Sequence, residues 1–341
     1  MLVAEITRFG GPEVFRIVER PSRALDPGEV RIRISAAGVN FADIQMRVGL
    51  YPEAPRVPFV PGYEVSGVVS ELGPGVSGFR VGERVMAACR FGGYTDELVL
   101  PVAQVRSTPR RLTDVEAAAV PVAFMTAWVA LFEMARVRED DTVLVPGAAG
   151  GVGSALVQLA ARVGARVTGL VGSGAKKDPV KALGAEQVFT YEEFDGGGDG
   201  AAFSLVLDSR GGALLRQSMR HLAPAGRVVS YGVSTLVTGV RRSLPRTIMG
   251  LLRTPLMTPI GLAMANQGIF GLNMLKLFDT PEGLQLLGRA LDAVLEGFAE
   301  GKLRAVVGKV FPLAEAGKAH VYLQGRASIG KVVLTCIKDF N

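Results

Sequence analysis

The chain has 341 residues, a length that predicts two domains or one large α/β unit. Hydrophobic residues make up 48% of it and charged residues 21%, proportions that exclude a disordered chain. The two cysteines, Cys89 and Cys336, are too few for a disulfide framework, and the two histidines leave little material for a zinc site. The net charge of +6 is spread along the chain rather than gathered into one patch, so nucleic-acid binding is not expected.

Targeting and membrane segments are not expected either. The N-terminal stretch MLVAEITRFGGPE carries an acid and a base within its first eight residues and lacks an apolar core, so it does not resemble a signal peptide. The longest uncharged run, residues 254–275, has the 22 residues that could cross a bilayer. Pro255, Pro259 and three side-chain amides interrupt it, because prolines break the helix and amides need partners in lipid. We therefore expect a cytoplasmic protein without an integral membrane span.

The first 120 residues read as strands and turns. Residues 29–35 (EVRIRIS) alternate with period two, as in a half-buried strand. Residues 62–70 are apolar with small side chains, Gly-Pro-Gly at 73–75 predicts a turn, and residues 81–85 resume a strand. This region predicts a compact, β-rich domain.

From about residue 114 the pattern changes to alternating helices and strands. Such alternation predicts a parallel sheet covered by helices, that is, an α/β fold with a doubly wound sheet beside the β-rich domain. A further strand is predicted at residues 330–336. The predicted strands of the α/β region are residues 142–146, 166–170, 203–208 and 227–231, and its predicted helices include residues 124–135 and 154–163.

A glycine-rich turn joins the first of these strands to the helix that follows it. The turn reads GAAGGVG from Gly147 to Gly153. Small residues suit a tight turn, a close approach of the backbone to a pyrophosphate, and close packing of helix on strand. The helix N-terminus adds free N–H groups and a positive dipole end. The strand–turn–helix context favours a dinucleotide site at Gly150, Gly151, Val152 and Gly153 over an ordinary βα turn.

The residues after the second strand favour NADPH over NADH. An NAD site usually has an Asp or Glu there to accept hydrogen bonds from the ribose. Residues 171–177 instead read VGSGAKK, which offers the hydroxyl of Ser173 and the ammonium of Lys176 to a 2′-phosphate. The alternative is a solvated basic loop.

Several segments together resemble the medium-chain dehydrogenase/reductase superfamily over nearly the whole chain. The sequence AGVNFAD at 37–43, GLYP at 49–52 and PGYEVSG at 61–67 are similar to motifs of its quinone oxidoreductase branch, and AAGGVG at 148–153 is similar to its cofactor signature. Within that branch, residues 231–239 and the arginine-rich segment after them resemble the vesicle amine transport protein-like group. The resemblance implies a GroES-like domain at 1–120, a Rossmann domain at 121–300, a segment at 301–341 that returns to the first domain, and a homodimer.

The sequence departs from the zinc-dependent members of that superfamily. A catalytic zinc needs thiolate and imidazole ligands, but the corresponding positions hold Asn40 and Tyr63. The structural zinc lobe with four cysteines is also missing, since Cys89 is the only cysteine in that region. No metal is therefore expected. The expected reaction is transfer of hydride from NADPH to a quinone or an α,β-unsaturated carbonyl. The alternatives are an enoyl-thioester reductase and a low-turnover, membrane-associated module that binds the dinucleotide.

Two residues are candidates for the chemistry. Asn40 could donate a hydrogen bond to a carbonyl or to the nicotinamide ribose, or could be a turn residue that satisfies local backbone. Tyr51 could supply a proton, because an ordinary phenol is protonated at neutral pH, or could be a packing residue. Asp43 is expected to orient Asn40 or to cap the next helix, and Tyr63 to pack. Because no cluster of charged groups is apparent around Asn40 and Tyr51, the expected substrate is small and hydrophobic.

The resemblance implies further contacts with the cofactor. It places Thr126 at the nicotinamide end, Tyr191 by the adenosine ribose and Arg326 on a segment that returns toward the cofactor. The remaining contacts that it implies are Tyr231, Gly232, Phe270 and Gly271.

The segment 241–275 is the least explained by these expectations. Arg242, Arg246 and Arg253 would share one face of a helix, which reads as an amphipathic helix with a solvated edge. An entrance lid, a peripheral membrane contact and a grip on an anionic acyl carrier stay open. The methionines Met249, Met257, Met264 and Met274 are expected to fill the core.

Overall fold

The computed structural model describes residues 1–195, 202–234, 248–249 and 252–336. The described chain divides into two compact units. The first contains Met1–Met125 together with the described residues from Leu277 onward. The second contains the described residues between Thr126 and Lys276. The first unit is thus built from two separate stretches of chain, with the second unit inserted between them.

The first unit is β-rich. Its seven-stranded sheet has the order β14-β15-β3-β4-β5-β7, with β6 also paired to β3, and β1 and β2 form a separate antiparallel pair. The strands are β1 (Leu2–Ile6), β2 (Phe15–Glu19), β3 (Glu29–Val39), β4 (Glu64–Leu72), β5 (Arg84–Ala88), β6 (Glu97–Pro101), β7 (Val105–Ser107), β14 (Val307–Pro312) and β15 (Lys331–Thr335).

The alternation that predicted β3 is the reason it can occupy the middle of this sheet. Val30, Ile32 and Ile34 are buried in one hydrophobic core, whereas Arg33 between them is exposed. From Ala36 to Val39 the strand is buried on both faces, and there it pairs antiparallel with β15. β15 is therefore an inner strand of the sheet of the first unit, although it follows the second unit along the chain.

The second unit is a six-stranded parallel sheet. Its order is β10-β9-β8-β11-β12-β13, so the order of the strands reverses between β8 and β11. Ligands of such doubly wound sheets bind at the carboxyl ends of the strands, beside this reversal. The strands are β8 (Thr142–Pro146), β9 (Arg166–Val171), β10 (Gln187–Thr190), β11 (Phe203–Asp208), β12 (Leu222–Ser230) and β13 (Gly268–Gly271). The predicted α/β fold class is confirmed.

Helices cover the strands of both units. A stretch of helical turns at Asp114–Met134 is long and apolar enough to cross a bilayer, but 72% of its most apolar part is buried inside the protein, as in a core helix. The described helices are α1 (Phe41–Arg47), α2 (Asp114–Ala117), α3 (Pro121–Trp128), α4 (Gly151–Val163), α5 (Lys177–Lys181), α6 (Tyr191–Asp195), α7 (Gly212–Arg220), α8 (Pro259–Ala265), α9 (Met274–Leu277), α10 (Pro281–Ala299) and α11 (Ala316–Gln324).

Two boundaries differ from the sequence-based expectation. Helix α4 begins at Gly151 rather than Ser154, because Gly150 adopts the extended conformation of an N-cap and the residues from Gly151 to Gly153 are already helical. Helix α10 lies in the first unit, although the sequence predicts residues 277–300 in the Rossmann domain. Within that unit the Phe298 ring packs edge-on against Phe124, and Asp292 forms an ion pair with Arg106. These contacts hold the helix on the β-rich unit.

Candidate functional site

The glycine turn begins directly after β8. Gly147 has a φ of +76°, a left-handed conformation that favours glycine. The N–H groups of Gly147 and Ala148 both donate to the carbonyl of Leu170 in β9, at 3.0 Å each. Gly150 then caps α4 without any hydrogen bond from a side chain. The chain thereby passes from the strand to the helix using backbone contacts alone.

Gly153 is required by close packing within the turn. A Cβ atom at this position would lie 2.2 Å from the carbonyl oxygen of Gly147 and 2.8 Å from the Cα of Ala148. Both obstacles are backbone atoms, so they could not simply rotate away. Gly153, the fourth glycine of the turn, therefore lets helix α4 pack directly on it.

The first turn of α4 can hold an anion. The N–H groups of Gly151, Val152 and Gly153 occupy the first helical positions, which have no acceptor inside the helix. The helix continues for 13 residues, so its dipole adds positive potential at this end. No side chain caps it. These features fit the diphosphate of a dinucleotide.

The loop after β9 presents hydroxyl and ammonium groups. Ser173 is exposed and precedes a short 3₁₀ turn that ends at Lys176. The neighbouring ammonium of Lys177 pairs with Glu193 at 2.6 Å. Burial lowers the pKa of Lys176, which is half-buried. An anionic phosphate beside Lys176 would favour its charged form again.

Tyr191, for which the resemblance implies a contact with the adenosine ribose, lies next to the glycine turn. Its hydroxyl oxygen is 3.9 Å from the place where a Cβ of Gly147 would be, and it is buried with no hydrogen-bond partner of good geometry among the described residues. Burial raises the pKa of this hydroxyl. The guanidinium carbon of Arg210 lies 4.6 Å from the centre of the Tyr191 ring.

Arg210 is a further candidate beside Tyr191 that the sequence motifs do not indicate. It follows the end of β11, the strand next to β8 at the reversal of strand order, which is the one signal that could have pointed to it. Asp208, which ends that strand, is fully buried and accepts a hydrogen bond from the N–H of Gly211 at 2.7 Å. Burial raises the pKa of Asp208 to about 6.

Four other predicted residues of the second unit lie at the same edge of its sheet, at the ends of β12 and β13. Tyr231 and Gly232 follow the end of β12, and the backbone N–H of Tyr231 donates to the carbonyl of Asp208 at 2.9 Å. Phe270 and Gly271 end β13, where they pair with residues of β12. Phe270 is 40% exposed, so its ring is available to a ligand. Thr126 is buried in α3.

A second set of polar groups surrounds Asn40 in the first unit. Asn40 caps α1, and its amide is held at both ends. The amide oxygen accepts a hydrogen bond from the ammonium of Lys331 at 2.7 Å, and the amide nitrogen donates to Glu64 Oε1 at 3.0 Å. Lys331 and Glu64 themselves form an ion pair at 2.5 Å. We call Asn40, Glu64 and Lys331 the amide cluster.

The amide cluster is buried and hydrogen-bonded throughout. Glu64 is fully buried and Lys331 is 5% exposed, whereas Asn40 is half-buried. The second carboxylate oxygen of Glu64 accepts from the backbone N–H of Val122 at 2.8 Å, and Lys331 also donates to the carbonyl of Val39 at 3.1 Å. Buried opposite charges that satisfy each other in this way stabilise a fixed geometry.

The cluster corrects the expectation that no charged groups surround Asn40. Glu64 stands in the PGYEVSG motif, but Lys331 comes from the opposite end of the chain, so the pair was not visible in the local sequence. The two charges neutralise each other and are hidden from solvent. Charge near Asn40 is therefore present but balanced.

Asp43 connects Asn40 to a deeper polar chain. One of its oxygens accepts from the backbone N–H of Asn40 at 2.8 Å and lies 3.1 Å from the hydroxyl of Tyr94, and the other accepts from the N–H of Gly62 at 3.1 Å. Tyr94 in turn lies 3.0 Å from Nε2 of His320. Burial raises the pKa of Asp43 to about 7 and lowers that of His320 well below its ordinary value. Asp43 thus orients the residue before α1.

Tyr51 and Tyr63 lie close enough to Asp43 for its charge to raise the pKa of each hydroxyl. Burial, followed by the charges of Glu53 and Asp43, raises the pKa of Tyr51 to about 12. Tyr51 is half-buried and stays protonated at neutral pH. Tyr63 is buried, and its hydroxyl donates to the sulfur of Met46 at 3.2 Å.

The predictions for Arg326, for the arginines of segment 241–275 and for the methionines have different outcomes. Arg326 lies in the first unit, with a φ of +55°, in the turn after α11. Arg242 and Arg246 lie outside the described residues. The expectation that the methionines fill the core is wrong for Met249 and Met264, which are 49% and 85% exposed. The helix α8 that carries Met264 has no buried residue, so its apolar side chains do not reach a core.

Comparisons with known proteins agree with the geometry of both units. The family model of the alcohol dehydrogenase GroES-like domain matches residues 26–110, and that of the zinc-binding dehydrogenase matches residues 183–334. Among the described residues, no three His, Cys, Asp or Glu side chains are grouped as in a metal site.

Relatives that match nearly the whole of this chain are also oxidoreductases or members of the same family. The synaptic vesicle membrane protein VAT-1 homolog of Rattus norvegicus is 33% identical over 336 residues, covering 96% of this chain and 82% of that protein. The 2-haloacrylate reductase of a Burkholderia species is 33% identical over 356 residues, covering 98% of both. The crystal structure of the quinone oxidoreductase from Thermus thermophilus, also solved as a complex with NADPH, superposes with a TM-score of 0.79 at 33% identity, covering 98% of this chain and 100% of that one.

Proposed function

Because this chain belongs to the medium-chain dehydrogenase/reductase superfamily of oxidoreductases, we propose that it is a zinc-independent, NADPH-dependent reductase of quinones or α,β-unsaturated carbonyls. The observation that carries the proposal is the uncapped N-terminus of α4 behind a turn in which Gly153 has no room for a side chain. That arrangement fits the diphosphate of a nicotinamide dinucleotide. The cofactor supplies hydride from its nicotinamide ring.

The residues of the second unit support NADPH as this cofactor. Gly151, Val152 and Gly153 would hold the diphosphate through their backbone N–H groups. Gly150 would lie beside it as the N-cap, with its own N–H donating to the carbonyl of Gly147 at 2.9 Å. Ser173 and Lys176 would bind the 2′-phosphate, since no carboxylate stands between Val171 and Lys177. Tyr191, whose hydroxyl is buried beside the turn, would contact the adenosine ribose. A relative of known structure binds the same nucleotide.

The donor set around Asn40 supports chemistry without zinc. Its amide is occupied by Lys331 and Glu64, and the hydroxyl of Tyr63 is occupied by a methionine sulfur. Neither is the thiolate or imidazole that a catalytic zinc requires. Without such a metal, an electron-poor acceptor is the substrate that fits, and the Burkholderia relative is named for reduction of an unsaturated acid of this kind. The homodimer and the cytoplasmic location stay predictions.

The test is NADPH consumption by the purified protein. A panel of quinones, free enones and an enoyl-CoA thioester should separate the proposed activity from enoyl-thioester reduction. Turnover of a quinone or free enone in preference to the thioester is expected. Binding of NADPH with no turnover of any acceptor would reject the proposal.

The choice of cofactor has its own test. Replacing Lys176 by Glu puts a negative charge where the 2′-phosphate would bind and should weaken NADPH binding by about 10- to 100-fold, a loss of one to two charge-assisted contacts. NADH, which lacks this phosphate, should bind with unchanged affinity. Lys177→Glu is the matched control, because the ammonium of Lys177 is already paired with Glu193. Equal effects on both nucleotides, measured by fluorescence titration, would contradict NADPH specificity.

A second candidate function is a low-turnover module that contacts membranes. The exposed apolar side chains of Leu256, Ile260 and Met264, which are 93%, 77% and 85% exposed, favour it. Co-sedimentation with liposomes, compared between the wild type and a triple replacement of these residues by Ser, tests this candidate. Strong binding together with no reduction of any acceptor would favour it over the reductase.

A further inference from the structure

The amide of Asn40 can be oriented in only one way within the amide cluster. The ammonium of Lys331 is solely a donor and the carboxylate of Glu64 solely an acceptor, so the amide oxygen must face Lys331 and the amide nitrogen must face Glu64. The reversed amide would place N–H groups against the ammonium and the amide oxygen against the carboxylate. The two charged partners therefore fix which atom of Asn40 is where.

Within the described part of the chain, only one polar hydrogen of the cluster then lacks a partner. The three hydrogens of Lys331 are directed to Glu64, Asn40 and the carbonyl of Val39. Glu64 accepts from Lys331, Asn40 and the N–H of Val122. Asn40 uses its oxygen and one of its two amide hydrogens. The second amide hydrogen, on a half-buried side chain, is left to bind something outside the cluster.

We propose that Lys331 and Glu64 are positioning residues that orient this second amide hydrogen of Asn40 as a donor to the carbonyl oxygen of the electron acceptor. The inference rests on the proposed reductase function and goes beyond it, because it assigns roles to two residues outside the expected site. Of the two ligand roles open to Asn40, it selects the acceptor carbonyl rather than the nicotinamide ribose.

The chemistry explains why a donor held in this way is useful. When hydride adds to an acceptor carbon, the electron pair of the conjugated double bond moves to the carbonyl oxygen, which becomes an enolate or hydroquinone anion. A fixed N–H stabilises this charge without giving up its proton. The proton that completes the reduction comes from solvent or from the hydroxyl of Tyr51, which stays protonated at neutral pH.

The test exchanges the acidic and amide side chains of the cluster. Asn40→Asp combined with Glu64→Gln keeps one carboxylate beside Lys331 and keeps the net charge. The introduced glutamine can donate from its amide nitrogen to the introduced aspartate while its amide oxygen accepts from the N–H of Val122. Because this nitrogen replaces the Glu64 oxygen that pairs with Lys331, the ammonium must turn to the introduced aspartate and to the carbonyl of Val39. Circular dichroism and thermal unfolding check that the variant is folded, and in the folded variant the outward donor becomes an acceptor.

The exchange should lower kcat/KM by about 100-fold and leave NADPH affinity unchanged. A loss of this size is typical when one hydrogen-bond donor to the developing oxyanion is removed. Wild-type kcat/KM in the exchanged variant, or a loss that appears only in NADPH affinity, would overturn the proposal.

A second measurement does not depend on turnover. The chain has four asparagines, so selective ¹⁵N-asparagine labelling should give four pairs of side-chain amide signals, and the pair of Asn40 is identified by its loss in the exchanged variant. In the wild type, one amide hydrogen of Asn40 should exchange slowly with solvent and the other rapidly. In Lys331→Met/Glu64→Gln, which removes both charges together, the two hydrogens should exchange at similar rates. Equal exchange in the wild type would refute the positioning role, whereas an inactive wild type with unequal exchange would refute only the reductase function.

Discussion

The glycine turn of the second unit and the amide cluster of the first are built in opposite ways. The turn presents backbone N–H groups and excludes side chains, since a Cβ on Gly153 would clash with the carbonyl of Gly147. The cluster presents one side-chain hydrogen and depends on two buried, paired charges. The turn is therefore sensitive to volume and the cluster to charge balance.

This difference predicts how each region fails. A backbone site keeps its chemistry under any substitution that leaves its path unchanged, because no titratable group takes part. A buried ion pair loses its stability when either partner is removed, because the other is left without compensation. The following predictions separate the two kinds of failure, beginning with the largest effect.

Removal of one charge from the amide cluster should have the largest effect. Lys331→Met leaves the fully buried carboxylate of Glu64 without its cation and should lower the free energy of unfolding by about 3–5 kcal/mol. Urea denaturation followed by circular dichroism measures this. The double variant Lys331→Met/Glu64→Gln should recover most of the loss. If the single and double variants were equally destabilised, charge balance would not be what holds the cluster together.

A methyl group in the glycine turn should affect binding next. Gly153→Ala forces the turn and α4 apart, so NADPH affinity should fall by at least about 100-fold as the N–H groups move away from the diphosphate. Gly268→Ala in β13 is the control, because its added Cβ would meet no atom closer than 3.8 Å among the described residues. Calorimetric titration with NADPH checks both variants. Unchanged binding by Gly153→Ala would show that the turn is not the nucleotide site.

The smallest effect is a dependence of stability on pH that arises near the cluster. Burial raises the pKa of Asp43 from an ordinary 3.8 to about 7. At a pH between these two values, Asp43 holds a proton in the folded protein but has lost it in the unfolded chain. Stability contributed by this group therefore falls as pH rises from about 4 to 7, by at most about 1.4 kcal/mol per pH unit.

Asp43→Asn isolates this contribution. The variant keeps every other titratable group of the wild type, including the buried His320, so the difference between the two proteins reports on Asp43. The unfolding free energy of the wild type minus that of the variant, measured at about pH 5 and about pH 6, should be smaller at the higher pH. A difference that did not change with pH would mean that Asp43 is ionised throughout and that the hydrogen bonds from Asn40 and Gly62 outweigh its burial.

The glycine turn could be predicted from sequence because all of its parts are contiguous. The strand at Thr142–Pro146, the turn and the helix follow one another directly along the chain, and the predicted strand has the bounds that the structure gives it. The strand at Phe203–Asp208 was predicted with its observed bounds for the same reason, since a short buried run is a local signal.

The amide cluster could not be predicted because its members meet only through the register of the sheet. Asn40 and Lys331 are 291 residues apart, and the pairing of Val39 with Val332 brings them together. No local pattern records that register. The misjudged Met264 has a related cause, since a methionine at helical spacing does not reveal whether its face of the helix has a partner.

The position of β15 inside the sheet of the first unit also sets the order in which the protein can mature on the ribosome. β3 and β4 are translated before the second unit, but the strand that lies between β14 and β3 is translated after it. All of the second unit is synthesised before Lys331 exists. Until then the nascent β-rich unit carries a gap in its sheet and an unmatched acid at Glu64, so it should remain protease-sensitive while the inserted unit is already protected.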